Sequence, residues 1–371
     1  MTRLTTEQVK KNGGDGKGSD DSYSSVSLTR RALTDVSCLS EFRSLERLDL
    51  AFNSLSSLEG LKSCENLKWL SVTQNKLESL HGVEGLRKLT VLNASKNKIK
   101  SMEPLLSLDS LRALILNDNE IETICKLGRM KELNTLVLSR NPICEISDSL
   151  KKVKSIAKIS LSRCKVQAIG SSLKSCTELK ELRLAHNYIK TLPSELADNK
   201  KLQNVDVGNN AVTSWSDIKV LCLLTSLKNL NLSGNPVADN SKLTNKLKNV
   251  LSQLHVFNAK PLLKNTETAK PEMKLEEKKR KIRFLEIDEL PASMDENIRK
   301  EERKNRNLRE KSDKFEPLIS ENETGDIGNG SDNPSGEAGF VKKKHNNNNS
   351  KPLDIPVFEI GLGGPSTWGD E

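Results

Sequence analysis

The chain has 371 residues and a net charge of +9; 35% of it is hydrophobic and only 3% aromatic. No run of about 18 apolar residues occurs, which argues against a membrane-spanning helix. Seven cysteines, odd in number and never in a C-x-x-C pair, argue against a disulfide framework and fit reduced thiols inside a cell.

Residues 1–23 are polar and glycine-rich and are expected to be disordered. They hold no apolar h-region, so they do not read as a secretory signal. From residue 24 the chain becomes periodic. Asparagine recurs at Asn53, Asn75, Asn97, Asn119, Asn141, Asn187, Asn210 and Asn235, in steps of 22, 22, 22, 22, 46, 23 and 25. Cys164 fills the double step, 23 residues from each neighbour. Each position closes the phrase L-x-L-x-x-N or a variant of it. In Leu48 to Asn53, Leu48 and Leu50 alternate at strand spacing and point inward, while Asp49 points out. The same frame fits Leu70/Val72, Leu92/Ala94, Leu114/Leu116, Leu136/Leu138, Ile159/Leu161, Leu182/Leu184, Val205/Val207 and Leu230/Leu232. An Asn amide both donates and accepts, so at a buried turn it can satisfy backbone groups of two coils. Cysteine is a small buried substitute with one weak S–H donor. A second apolar pair follows each rung, from Leu55/Leu58 to Ile189/Leu192, and fills the convex side.

An atypical first coil precedes this ladder, with Arg31 standing 22 residues before Asn53. After Asn235-Pro236, residues 241–251 read as a helix, and Leu254, Val256 and Phe257 are placed to cover the last coil. The fold class is therefore α/β: a solenoid of about ten coils with a parallel sheet on its concave face, spanning 24–262 with its cap.

Period 22, the N-x-[IL]-x-x-[LI] turns and the end block resemble the SDS-type leucine-rich repeats. That class includes the leucine-rich regulatory subunit of type-1 protein phosphatase, an axonemal dynein light chain and the A-prime protein of a spliceosomal particle. The resemblance implies a horseshoe that binds partners on its strand surface, and by itself no chemistry. It further implies acidic and aromatic concave residues, which Trp69, Asp118, Glu181 and Asp206 match; the surplus of basic residues departs from that pattern.

The frame places outward side chains on the concave face. Phe52 and Trp69 sit on adjacent coils, where a large apolar group gains nothing from the core. Arg140, Lys158, Arg163 and Arg183 cluster over three coils beside Asp118, Glu181 and Asp206. Exposed aromatics and arginines are typical interface anchors. The plainer readings are that Trp69 folds over the rim and that the basic cluster is a solvated, salt-bridged face. Residues 1–262 carry 39 Lys+Arg against 27 Asp+Glu, a net of +12; residues 263–371 carry 20 against 23, a net of −3. This favours an acidic protein surface as partner. Direct nucleic-acid binding is disfavoured, since stacking platforms are scarce.

Residues 263–371 hold no repeat and are expected to be a mostly disordered charged tail. Lys281-Ile-Arg-Phe284 matches the R-V-x-F docking pattern of type-1 phosphatase partners, with Lys281 as the basic residue and Ile282 and Phe284 entering two apolar pockets beside a sheet edge. The run Lys278–Lys281 reads equally as a nuclear import signal. Residues 293–314 are a probable helix, opening on the capping box Ser293-Met-Asp-Glu296. Leu353 to Leu362, with Trp368, is an apolar stretch in an acidic setting.

Four scattered histidines and no nucleophile, metal or phosphate-loop constellation argue against an enzyme and against a cofactor. The expectation is a scaffold in the nucleus or cytoplasm, and most specifically a type-1 phosphatase regulatory or targeting subunit. The alternative is a structural adaptor in a spliceosomal A-prime-like or a dynein/microtubule complex.

Overall fold

The computed structural model describes residues 2–13 and 24–262. The chain opens with strand β1 (Thr2–Arg3) and helix α1 (Thr6–Asn12). Ten coils follow. Their concave strands are β2 (Ser25–Ser27), β4 (Arg47–Asp49), β5 (Trp69–Ser71), β6 (Val91–Asn93) and β7 (Ala113–Ile115), then β8 (Thr135–Val137), β9 (Lys158–Ser160), β10 (Glu181–Arg183), β11 (Asn204–Asp206) and β12 (Asn229–Asn231). Strand β3 (Leu33–Asp35) belongs to the first coil and pairs with β1. Helices α2 (Pro236–Asp239) and α3 (Ser241–Val250) and strands β13 (Val256–Phe257) and β14 (Lys260–Pro261) close the array. In the large sheet, β2 and β4 to β13 pair parallel in chain order, and β14 returns antiparallel beside β13.

The register is what the leucine phrase dictates. Leu48 aligns with Leu70, Leu92, Leu114, Leu136, Ile159, Leu182, Val205 and Leu230, and none of these is more than 1% exposed. Each such side chain stabilises by about 1.5–3 kcal/mol relative to an exposed one. The convex side is made of short 3₁₀ turns such as Glu103–Ser107 and Lys219–Leu223, because a 22-residue coil leaves little room for a full helix. Among the described residues, no helix is long and apolar enough to cross a membrane.

The asparagines link neighbouring coils. Asn97 donates from Nδ2 to Val72 O of the preceding coil at 3.0 Å and to Ala94 O of its own at 3.1 Å. Its Oδ1 accepts the Leu77 N–H at 3.1 Å. Ala94 O in turn accepts from Asn119 at 3.0 Å, so this carbonyl is shared by two rungs. Cys164 reaches Leu138 O at 3.4 Å but presents no carboxamide oxygen to the preceding coil.

The residue before each rung is left-handed. Arg30, Phe52, Gln74, Lys96, Asp118, Arg140, Arg163, His186 and Asn209 have φ between 52° and 60°, and Gly234 completes the series at 71°. This turn aims the residue's own N–H at the next coil, as from Phe52 to Thr73 O at 2.8 Å and from Arg163 to Ala185 O at 2.8 Å. A non-glycine residue there bears about 1 kcal/mol of strain, which the bond offsets.

The N-terminus corrects the expectation of disorder over 1–23. Thr5 caps α1 in a capping box with Gln8, Leu4 and Val9 are 2% and 0% exposed, and β1 adds to β3. Residues 2–13 thus cover the open end of the first coil; residues 14–23 lie outside the described residues. Arg31, too polar to serve as a buried rung, donates its N–H to Asn53 Oδ1 at 3.0 Å and turns its guanidinium to Asn12 Oδ1 on α1. At the other end, Asn240 caps α3 by accepting the Lys242 and Leu243 N–H groups. Leu254 and Phe257 cover the last coil as expected, joined by Leu251; all three are at most 4% exposed. Val256 does not join them. It pairs beside Asn229 at an outward register position and is half-buried. The tail readings at Lys281, Ile282, Phe284 and 293–314 lie outside the described residues.

Candidate functional site

Two outward rows run along the concave face. One aligns Arg47, Trp69, Val91, Ala113, Thr135, Lys158, Glu181, Asn204 and Asn229; the other aligns Asp49, Ser71, Asn93, Ile115, Val137, Ser160, Arg183, Asp206 and Asn231. Together they divide the face into an aromatic-cationic start, an apolar middle and a charged and amide-rich end.

At the start, the Arg47 guanidinium lies 3.7 Å over the Trp69 ring, and Arg30 lies 4.9 Å over Phe52. Phe52 is 41% exposed. The two aromatics are not equivalent: Phe52 stands on the left-handed turn at the rim, whereas Trp69 lies within the strand. Trp69 is half-buried, and its Nε1 is closed to water without a hydrogen-bond acceptor among the described residues. Stacked cations hold both rings, so these aromatics are positioned rather than loose.

The expected basic cluster separates into two sets. Arg140 and Arg163 sit on rim turns, as Asp118 does. Arg140 binds Asp118 in a fork, with Nη2 to Oδ2 at 2.9 Å, and Asn117 also donates to that carboxylate. Partial burial pushes the Asp118 carboxyl upward, but the Arg140 and Asn117 hydrogen bonds outweigh it and hold it below its ordinary value. Arg163 is exposed. Lys158, Glu181, Arg183 and Asp206 instead line the strands. Glu181 bridges Lys158 Nζ at 3.6 Å and Arg183 Nε. Lys158 is only 7% exposed. Burial lowers its ammonium's pKa despite the Glu181 charge. Asp206 accepts from the Gly208 N–H at 3.0 Å and from Asn231 Nδ2 at 2.8 Å. Burial still raises its pKa. The rim charges are thus largely solvated, whereas along the strands Lys158 is buried and Glu181, Arg183 and Asp206 are half-buried.

The sequence reading passed over the apolar middle. Val91, Ala113 and Ile115 point away from the core, yet are 2%, 8% and 3% exposed; Val137 beside them is half-buried. The signal was present: the alternation that turns Leu92 inward turns Val91 outward.

Burial pushes the Cys64 thiol up to about 11 and that of Cys176 up to about 12, so these two thiols are inert. Among the described residues, no three His, Cys, Asp or Glu side chains are grouped to hold a metal.

Residues 43–99 match the family model for the leucine rich repeat. The fold is that of a leucine-rich-repeat solenoid. The leucine-rich repeat is similar to that of an internalin, inlF, from Listeria monocytogenes: 27% identity, TM-score 0.56, covering 62% of this chain and 66% of that one. It is also similar to the functional domain of InlJ from Listeria monocytogenes, which includes a cysteine ladder: 23% identity, TM-score 0.54, covering 64% of this chain and 48% of that one. The chain thus spans just under two thirds of the first neighbour and about half of the second. No curated protein matches it. Leucine-rich repeat domains are typically non-catalytic binding modules, and these neighbours carry no evidence about a phosphatase.

Proposed function

We propose that the chain is a non-enzymatic adaptor whose concave face binds a protein partner. The observation that carries this is the ion set Lys158–Glu181–Arg183 beside Asp206, with Lys158 buried and the others half-buried, on a face where no fold requirement calls for charge. Taking a charge such as that of Lys158 out of water is costly, and pre-organised ions on the same face as a cation-stacked Trp69 make a recognition surface. The net charge of +12 over residues 1–262 favours an acidic partner.

The finer reading is a type-1 protein phosphatase regulatory or targeting subunit, in the nucleus or cytoplasm. Two features of the sequence support it: the concave Trp69, Asp118, Glu181 and Asp206, and the tail string Lys281-Ile-Arg-Phe284. Purified full-length chain, immobilised and challenged with the phosphatase catalytic subunit, tests it. Retention that drops with Trp69→Ala/Arg183→Glu, and separately with Ile282→Ala/Phe284→Ala, is the expected result. No retention of the catalytic subunit by the wild-type chain rejects the finer reading.

A further inference from the structure

Beyond the concave strands, each coil turns past its rung and presents three outward positions: the left-handed residue, the residue after the rung, and the one two further on. On the fourth coil these are Lys96, Lys98 and Lys100, and on the fifth Asp118, Glu120 and Glu122, so opposite charges lie side by side. On the seventh they are Arg163, Lys165 and Gln167, and on the eighth His186, Tyr188 and Lys190. Here no acid offsets the cations, since residues 161–177 and 182–194 contain no Asp or Glu. Arg163, Lys165, His186, Tyr188 and Lys190 are all exposed, Tyr188 at 60%. Among the described residues, Arg163, Lys165 and Lys190 hold no ion pair, whereas Arg140 binds Asp118 and Arg183 binds Glu181. Phe52, also exposed, is stacked by Arg30, but Tyr188 has no such partner among the described residues. The backbone beneath is fixed: the Arg163 N–H donates to Ala185 O at 2.8 Å, and the Tyr188 N–H to Val166 O at 2.9 Å.

We propose that this rim patch docks a phosphorylated serine or threonine carried by a protein partner. A phosphoryl group brings a charge of about −1.5 to −2 and three acceptor oxygens, which suit several uncompensated cations, whereas a single carboxylate offers one charge. The guanidinium of Arg163 can take two of those oxygens at once, and Lys165 and Lys190 supply point charges beside it. Tyr188 gives the flanking residues of the segment a flat, partly apolar surface at small entropic cost. The size of the patch also fits. Adjacent coils lie about 5 Å apart, and successive positions along a turn lie within about 7 Å. The positive strip ends on both sides, at the Asp118–Arg140 pair and at Asn209, Ala211 and Thr213 of the ninth coil. That is room for one phosphoryl group. Single-stranded nucleic acid would call for a longer cationic track with several stacking rings, and this patch has one.

The proposal extends the adaptor reading from the concave strands to the rim. The test measures fluorescence anisotropy of labelled synthetic peptide pools with the full-length chain, each pool holding a fixed phosphoserine, serine or aspartate between randomised positions. An oligothymidine strand is the fourth probe. The phosphoserine pool should bind at least about tenfold more tightly than the other three, with affinity falling as salt rises. Lys165→Glu/Lys190→Glu should remove that preference, and Arg163→Gln and Tyr188→Ala should each weaken it several-fold. Lys98→Glu/Lys100→Glu, the same charge change on the fourth coil, should leave it in place. Thermal unfolding confirms that these exposed substitutions keep the fold. Equal binding of the phosphoserine and serine pools overturns the proposal. So does tighter binding of the aspartate pool or of oligothymidine, or equal losses in the seventh-to-eighth-coil and fourth-coil variants. Each of these leaves partner capture by the concave face standing; that reading fails separately, if Trp69→Ala/Arg183→Glu spares capture.

Discussion

Removing one rung of the asparagine ladder should cost far more than its side-chain size suggests. Asn119 is 7% exposed. Its Nδ2 donates to Ala94 O at 3.0 Å and Leu116 O at 2.9 Å, and its Oδ1 accepts the Ile99 N–H at 3.0 Å. In Asn119→Ala the two carbonyls each keep another asparagine, since Ala94 O accepts from Asn97 and Leu116 O from Asn141. Each then loses about 0.5–1 kcal/mol. The Ile99 N–H keeps no acceptor, and an orphaned buried donor costs about 1–3 kcal/mol. The sum is about 2–5 kcal/mol, concentrated at the junction of the fourth and fifth coils. Urea unfolding followed by circular dichroism measures the total, and hydrogen exchange at Ile99 measures the local term. A loss below about 0.5 kcal/mol, the range of ordinary surface changes, would refute the reasoning.

Other consequences follow from the same geometry. Cys164→Asn restores a carboxamide oxygen toward the preceding coil, like those with which Asn141 and Asn187 accept the Ile121 and Val166 N–H groups; urea unfolding should show a gain of about 1 kcal/mol. Val9→Asp should release residues 2–13 from the first coil, seen as lost exchange protection there with β7 and β8 unaffected, because a solenoid is held coil by coil. Asp206→Asn tests the buried carboxylate. Its folded pKa is raised above 3.8, so it favours the folded state more as pH falls from above the folded value to below 3.8, and penalises it at neutral pH. The Asn variant should lose that slope and be no less stable than wild type at pH 7; a wild-type slope retained through the acidic range would contradict it.

The fold was legible because a 22-residue leucine and asparagine period has one physical solution, and the strand register follows its frame. Other features hid for stated reasons. Helix α1 offers one apolar residue, Val9, in a polar stretch, and only the Thr5–Gln8 capping box betrays it. The left-handed turn has no residue preference of its own, because arginine, histidine, aspartate and phenylalanine all occupy it once the N–H is bonded to the next coil. Within the concave face, charge and aromaticity mark Trp69 and Arg183, while the apolar Val91 and Ile115 carry neither signal. Whether charges pair was also invisible: Arg140 and Asp118 meet because both occupy the rim turn on adjacent coils, 22 residues apart.

The central claim is that partner recognition lies on the concave strands. Quantitative affinity purification of the full-length chain tests it most directly, comparing wild type with Trp69→Ala/Arg183→Glu and with the convex control Lys62→Glu, at matched thermal stability. The account predicts that the acidic protein partners enriched by wild type and by Lys62→Glu fall at least tenfold with the concave variant. An unchanged set of partners on the concave variant would contradict it.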